Sequence, residues 1–147
     1  MNRHPAQILL VEDDSVDAEA VRRAFDRHKL DNPITLVSDG VEALKVLRGE
    51  DGKARLPRPY LILLDINMPR MNGIELLQAL RADRELKTSV VFVLTTSSRD
   101  EDKLAAYCEQ VAGYFLKTRS GADFGDLITM LDAYWRIVEM PPEAQLC

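Results

Sequence analysis

Five short apolar runs, at residues 8–11, 34–37, 60–64, 90–94 and 114–116, alternate along the chain with longer stretches in which apolar positions recur at helical spacing. That alternation predicts βα units wound into a parallel sheet. The first, third and fourth runs are apolar throughout, as strands covered by helices on both faces must be, whereas 34–37 carries Thr35 and suits an edge. Val16, Ala20, Ala24 and Phe25 mark a first helix, Val41, Leu44 and Leu47 a second, and Ile74, Leu77 and Leu80 a third. Leu104, Ala105, Cys108 and Val111 mark a fourth, with Ser98 read as its cap ahead of Asp100, Glu101 and Asp102, whose charges suit a helix N-terminus. Phe124, Leu127, Ile128, Leu131, Trp135 and Val138 form the core face of the fifth and longest helix, which Pro141-Pro142 ends. Residues 49–59, with two glycines and two prolines, read as a loop into the third strand. The pattern predicts one α/β domain over 8–138, a doubly wound five-stranded parallel sheet with helices on both faces, between tails at 1–7 and 139–147.

Composition narrows the class. With 147 residues, 46% of them hydrophobic, such a domain buries about two thirds of its unfolded surface and needs neither a disulfide nor a structural metal. Cys108 and Cys147 belong to no CxxC pair, so a reducing cytoplasm is expected. No apolar run approaches the roughly 18 residues of a spanning helix, and residues 1–7 lack the apolar stretch of a signal peptide. No membrane association is therefore expected. A net charge of −5 argues against a nucleic-acid groove, and no DNA-binding output domain fits beside the predicted one. His4 and His28 read as surface residues without a kinase or phosphotransfer signature.

In an open parallel sheet the ligand site lies beyond the carboxyl ends of the strands. There the first strand delivers Glu12 and Asp13, the third Asp65 followed by Asn67, the fourth Thr95 and the fifth Lys117. Three carboxylates on one rim repel one another unless a cation joins them. A hard divalent ion, Mg²⁺, suits carboxylates and a backbone carbonyl at Asn67 better than it would suit histidine or cysteine. If one carboxylate attacks a phosphoryl group, the ion and Lys117 stabilise its oxygens and Thr95 donates to another. Asp65 is the candidate nucleophile, because it ends the central apolar strand and is followed by a turn rich in Pro and Gly, residues 68–73.

These motifs, Val11-Glu12-Asp13, Asp65-Ile66-Asn67-Met68-Pro69 with Gly73, Leu94-Thr95-Thr96 and Tyr114 through Lys117, resemble the receiver domain of two-component response regulators over about residues 8–138. The resemblance implies a flavodoxin-like strand order of 2-1-3-4-5. It implies that Asp65 is phosphorylated from a histidine of a sensor kinase, that Glu12, Asp13, Asp65 and the Asn67 backbone carbonyl hold Mg²⁺, and that Thr95 and Lys117 sense the phosphoryl group. It also places Tyr114 at a switch position, where an aromatic changes rotamer as the Thr95 hydroxyl moves. The Leu-Thr-Thr-Ser run at 94–97, the Asp-Ile-Asn-Met-Pro run at 65–69 and the long 49–59 loop further resemble small free-standing regulators associated with bacterial phytochromes. The partners so implied are a sensor histidine kinase, a bacteriophytochrome among the candidates, and a downstream phosphotransfer protein.

One departure stands out: the family has proline after the lysine, joined by a cis bond, and here Thr118 follows Lys117. A cis bond to a non-proline residue costs about 2.5–4 kcal/mol, so a trans Lys117–Thr118 bond and a shifted loop are expected. Met130, Tyr134 and Ile137 lie on a second stripe of the fifth helix and are read as an interface for a symmetric homodimer. Two alternatives remain beside the signal acceptor, which is not itself an enzyme. One is a degenerate receiver that acts only as a binding module. The other is a phosphatase of the haloacid dehalogenase type, against which Asn67 stands, because that enzyme needs a second aspartate there as general acid.

Overall fold

The computed structural model describes residues 6–142; His4, Cys147 and the outer parts of both expected tails lie outside the described residues. Strands and helices alternate as β1 (Gln7–Val11), α1 (Ser15–Arg27), β2 (Ile34–Val37), α2 (Gly40–Arg48), β3 (Tyr60–Leu64), α3 (Gly73–Ala82), β4 (Val90–Thr95), α4 (Asp100–Cys108), β5 (Gly113–Leu116) and α5 (Gly125–Ile137). The strands pair in parallel in the order β2-β1-β3-β4-β5, the expected doubly wound sheet.

Successive side chains of a strand point to opposite faces, and here both faces are dry. Leu9, Val11, Ile62, Leu64, Val91 and Val93 pack with Leu47, Leu76 and Leu77 of α2 and α3 on one side. Ile8, Leu10, Leu61, Leu63, Phe92 and Leu94 pack with Val21 and Phe25 of α1 and Leu127 and Leu131 of α5 on the other. Trp135, partly buried, packs against this second cluster and stacks on Phe25, ring centroids 6.3 Å apart. Val11 lies opposite Leu64, and Leu64 opposite Val93. The residues that follow these strands therefore leave the sheet side by side.

Local chemistry fixes where the helices start. Asp14 caps α1 by accepting hydrogen bonds from the Val16 and Asp17 amides, Asp39 caps α2 through the Glu42 amide, and Asn72 and Glu75 form a reciprocal capping box at α3. The expected Ser98 cap is not formed: Arg99 occupies the N-cap of α4 without a side-chain bond, and Ser97 instead donates its hydroxyl to Asp102 at 2.5 Å.

Two helical faces, those of α1 and α4, differ from the expected ones. α1 buries Ala18, Val21, Ala24 and Phe25, leaving Val16 exposed. α4 buries Ala106, with Leu104 and Cys108 exposed. The 49–59 loop is anchored by Leu56, which is buried and hydrogen-bonds through its amide to the Val46 carbonyl. α5 ends at Ile137, with Val138 as an exposed C-cap, before Pro141-Pro142 is reached.

The exposed stripe expected from Met130, Tyr134 and Ile137 is corrected in part. Met130 and Tyr134 are half-buried against the second core cluster, and the Tyr134 ring meets Phe92 edge-on at 5.0 Å. Ile137 is 79% exposed. No helix of the described residues is long and apolar enough to cross a membrane.

Candidate functional site

The carboxyl ends of the strands bring the expected residues to one rim. Glu12 and Asp13 follow β1, and carboxylate oxygens of Glu12, Asp13 and Asp65 all lie within 4.8 Å of one another. Glu12 and Asp65 are buried, while Asp13 is exposed. Asp65 continues β3 by donating its amide to the Val11 carbonyl at 3.0 Å. Its Oδ1 accepts the Asn67 amide at 3.2 Å, which places the Asn67 peptide against the same carboxylate.

The turn after Asp65 is held from three directions. A Cβ on Gly73 would stand 2.6 Å from the Asp65 carbonyl oxygen, so only glycine allows the start of α3 to approach the strand end this closely. Arg70, at φ +60°, extends its guanidinium to Asp39 at 2.6 Å. The Gly40 amide donates to the Met71 carbonyl at 3.1 Å.

Lys117 lies at the centre of the rim. It follows β5, and its bond to Thr118 is trans, as expected; the cis bond among the described residues is Arg58–Pro59. Residues Lys117–Arg119 then form a 3₁₀ turn, and the ammonium still reaches across the rim. Nζ lies 2.9 Å from Glu12 Oε2, 3.1 Å from Asp65 Oδ2 and 2.6 Å from Asp17 Oδ2.

Asp17 is the contact that reading the sequence missed. It sits in the first turn of α1, a hundred residues from Lys117, where an aspartate reads as a partner of the helix dipole.

Thr95 ends β4 fully buried, and its Oγ1 accepts the Ser97 amide at 3.3 Å. Tyr114, in β5, packs against the first core cluster and donates its hydroxyl to the Ser97 carbonyl at 2.8 Å. Thr95 and Tyr114 thus engage the same β4–α4 loop, one through its amide and the other through its carbonyl. Ser97 is the shared element that the sequence did not single out for this purpose.

The electrostatics are those of a site short of positive charge. Burial, with the nearby Asp65 charge adding to it, pushes the Glu12 carboxyl up to about 7 against the opposing hydrogen bond from Lys117. Burial of Lys117 works against its charge, but hydrogen bonds to Asp17 and Glu12 and the charge of Asp65 outweigh it and raise its pKa. Three carboxylates, Glu12, Asp17 and Asp65, thus share one ammonium, and Asp13 adds a fourth acidic group beside Glu12 and Asp65. An all-oxygen cluster of this spacing fits a hard divalent cation, which would let Glu12 ionise.

Comparison with known proteins shows the family and the fold. The family model described as response regulator receiver domain matches residues 8–131. The response regulator Rcp1 of Synechocystis sp. is 34% identical over 131 residues, 89% of this chain and 89% of that protein. The crystal structure of its Mn²⁺-bound form superposes with a TM-score of 0.82 at 33% identity, covering 94% of this chain and all of that one. The phosphorylated cyanobacterial phytochrome response regulator RcpA superposes with a TM-score of 0.84 at 31% identity, covering 95% of this chain and all of that one.

Proposed function

The chain belongs to the response regulator receiver domain family, and from that premise we propose that it accepts a phosphoryl group on Asp65 from a histidine of a sensor kinase. The observation that carries this reading is the convergence of the Glu12, Asp13 and Asp65 carboxylates within 4.8 Å beneath the Lys117 ammonium. A carboxylate oxygen of Asp65 attacks phosphorus, the bond from phosphorus to the donor nitrogen breaks, and the electron pair stays on the donor imidazole. Glu12, Asp13, Asp65 and the Asn67 carbonyl hold the cation, for which Mg²⁺ is the proposed ion. When bound, the ion supplies neutralisation of the phosphoryl oxygens.

Lys117 turns its Asp65-directed hydrogen toward a phosphoryl oxygen, and Thr95 donates its hydroxyl to another. Thr95 already holds the Ser97 amide, and Tyr114 the Ser97 carbonyl. Movement of the Thr95 hydroxyl is therefore felt by Tyr114 through one shared peptide segment, which makes the pair the proposed switch toward a partner face. Phosphorylation shifts that equilibrium only by its differential contacts in the two states.

The relatives support the proposed cation, phosphorylation and phytochrome-type donor. Rcp1 has been crystallised in a Mn²⁺-bound form, and RcpA, a cyanobacterial phytochrome response regulator, in a phosphorylated form. The donor proposed for this chain is accordingly a phytochrome-type histidine kinase in the cytoplasm, and the acceptor of its output a phosphotransfer protein.

Incubation with acetyl phosphate and Mg²⁺, followed by intact mass, tests the reading. A gain of one phosphoryl group, absent in Asp65→Ala and absent with a chelator, is expected. No gain in the wild type would leave only a phosphorylation-independent binding module, and rapid turnover of small phosphate esters would point to the phosphatase chemistry instead.

A further inference from the structure

The lysine of the rim is held by more than the reaction requires. An ammonium has three N–H donors, and here each has its own carboxylate: Glu12, Asp65 and Asp17. The Lys117 side chain is 8% exposed and its stem crosses to the rim from the far edge strand. Two of its three acceptors have other commitments in the proposed reaction. Asp65 gives up a carboxylate oxygen to phosphorus, and Glu12 belongs to the cation cluster. Asp17 is outside that cluster, yet it makes the shortest of the three contacts, at 2.6 Å.

Asp17 is also rigidly mounted. Its own amide is bonded to the Asp14 cap, in the first turn of a 13-residue helix whose face is locked into the core by Val21 and Phe25.

On the strength of the phosphoryl-acceptor reading, we infer that Asp17 is a positioning residue, a tether that keeps the Lys117 ammonium over Asp65 while Glu12 and Asp65 are engaged elsewhere. A lysine has four rotatable bonds, and fixing them against solvent is entropically costly. A partner on a rigid helix meets that cost before the donor arrives. The geometry also explains how Lys117 reaches the rim without a proline after it: α1 holds the side chain at its tip, so the backbone of the Lys117–Arg119 turn need not do so alone.

The test compares wild type, Asp17→Asn and Asp17→Glu. Asp17 is partly exposed and away from the core, so all three should melt alike. With acetyl phosphate at saturating Mg²⁺, Asp17→Asn should acquire the phosphoryl group about tenfold more slowly, the share of one charge-assisted hydrogen bond out of three. Its Mg²⁺ dependence should be unchanged, and Asp17→Glu should recover most of the rate. An Asp17→Asn rate equal to or faster than wild type overturns the tether, the faster result showing that Asp17 competes with the phosphoryl group for the lysine.

A second readout stands apart from phosphorylation. In cation-free protein the Lys117 side-chain ammonium should give a protected ¹⁵N–¹H NMR signal that Asp17→Asn loses. Its retention overturns the inference even if the wild type takes up no phosphate, whereas failure of the wild type to be phosphorylated, with the signal lost in the variant, refutes the acceptor reading and leaves the tether standing.

Discussion

At the scale of single residues, the rim was legible wherever an acidic or basic side chain directly follows an apolar run. Glu12, Asp65 and Lys117 each do, with Asp13 one residue on from Glu12, and β-strand geometry alone then brings them to one edge. Asp17 was hidden because its partner lies a hundred residues away, and Ser97 because a backbone amide and carbonyl carry its part.

Glu12 gives a pH prediction with a definite sign. Its folded carboxyl is raised from 4.5 to about 7, so between those values the folded chain binds a proton that the unfolded chain has lost. Stability of the cation-free protein therefore falls as pH rises through that window. Melting temperatures from about pH 5 to about pH 7.5 should decline for wild type relative to Glu12→Gln, which has no proton to lose there. Divalent-ion affinity, measured by calorimetry, should rise over the same range, since binding expels that proton.

At the scale of elements, all five helices were found from spacing, and the faces of α2, α3 and α5 lie where the period put them, but those of α1 and α4 were misplaced by a residue or two. Val16 and Leu104 fit a helical period and yet point to solvent, because an apolar residue in a first turn or on a short helix satisfies the period without meeting the sheet. Ala18 and Ala106 do the packing instead, and a small residue gives little signal in a hydropathy pattern. Capping was better defined where the acceptor reaches back over the turn. Asn72→Ala removes the reciprocal box that starts α3 and should lower stability by about 1 kcal/mol in denaturant unfolding.

Gly73→Ala attacks the same junction sterically. With its new methyl 2.6 Å from the Asp65 carbonyl, the loop must shift, and about 1–3 kcal/mol of overpacking is expected together with slower phosphoryl uptake.

At the scale of the molecule, the two-faced core followed from continuous apolar strands, which only helices on both sides can cover, whereas the strand order β2-β1-β3-β4-β5 was implied by the family resemblance. Leu63 is fully buried at the centre of that core, and Leu63→Ala should cost about 3 kcal/mol by thermal or chemical unfolding. The homodimer proposed for the α5 stripe now rests chiefly on Ile137, because Tyr134 is spent on Phe92. Ile137→Glu is thus the cleaner probe: sedimentation should show a wild-type dimer that the variant dissociates, and a monomeric wild type removes that proposal. The central claim is more exposed to test than any of these. Protein treated with acetyl phosphate and Mg²⁺, reduced with borohydride and mapped by peptide mass spectrometry should carry homoserine at position 65 in place of aspartate. Homoserine at another aspartate, or at none, would contradict it.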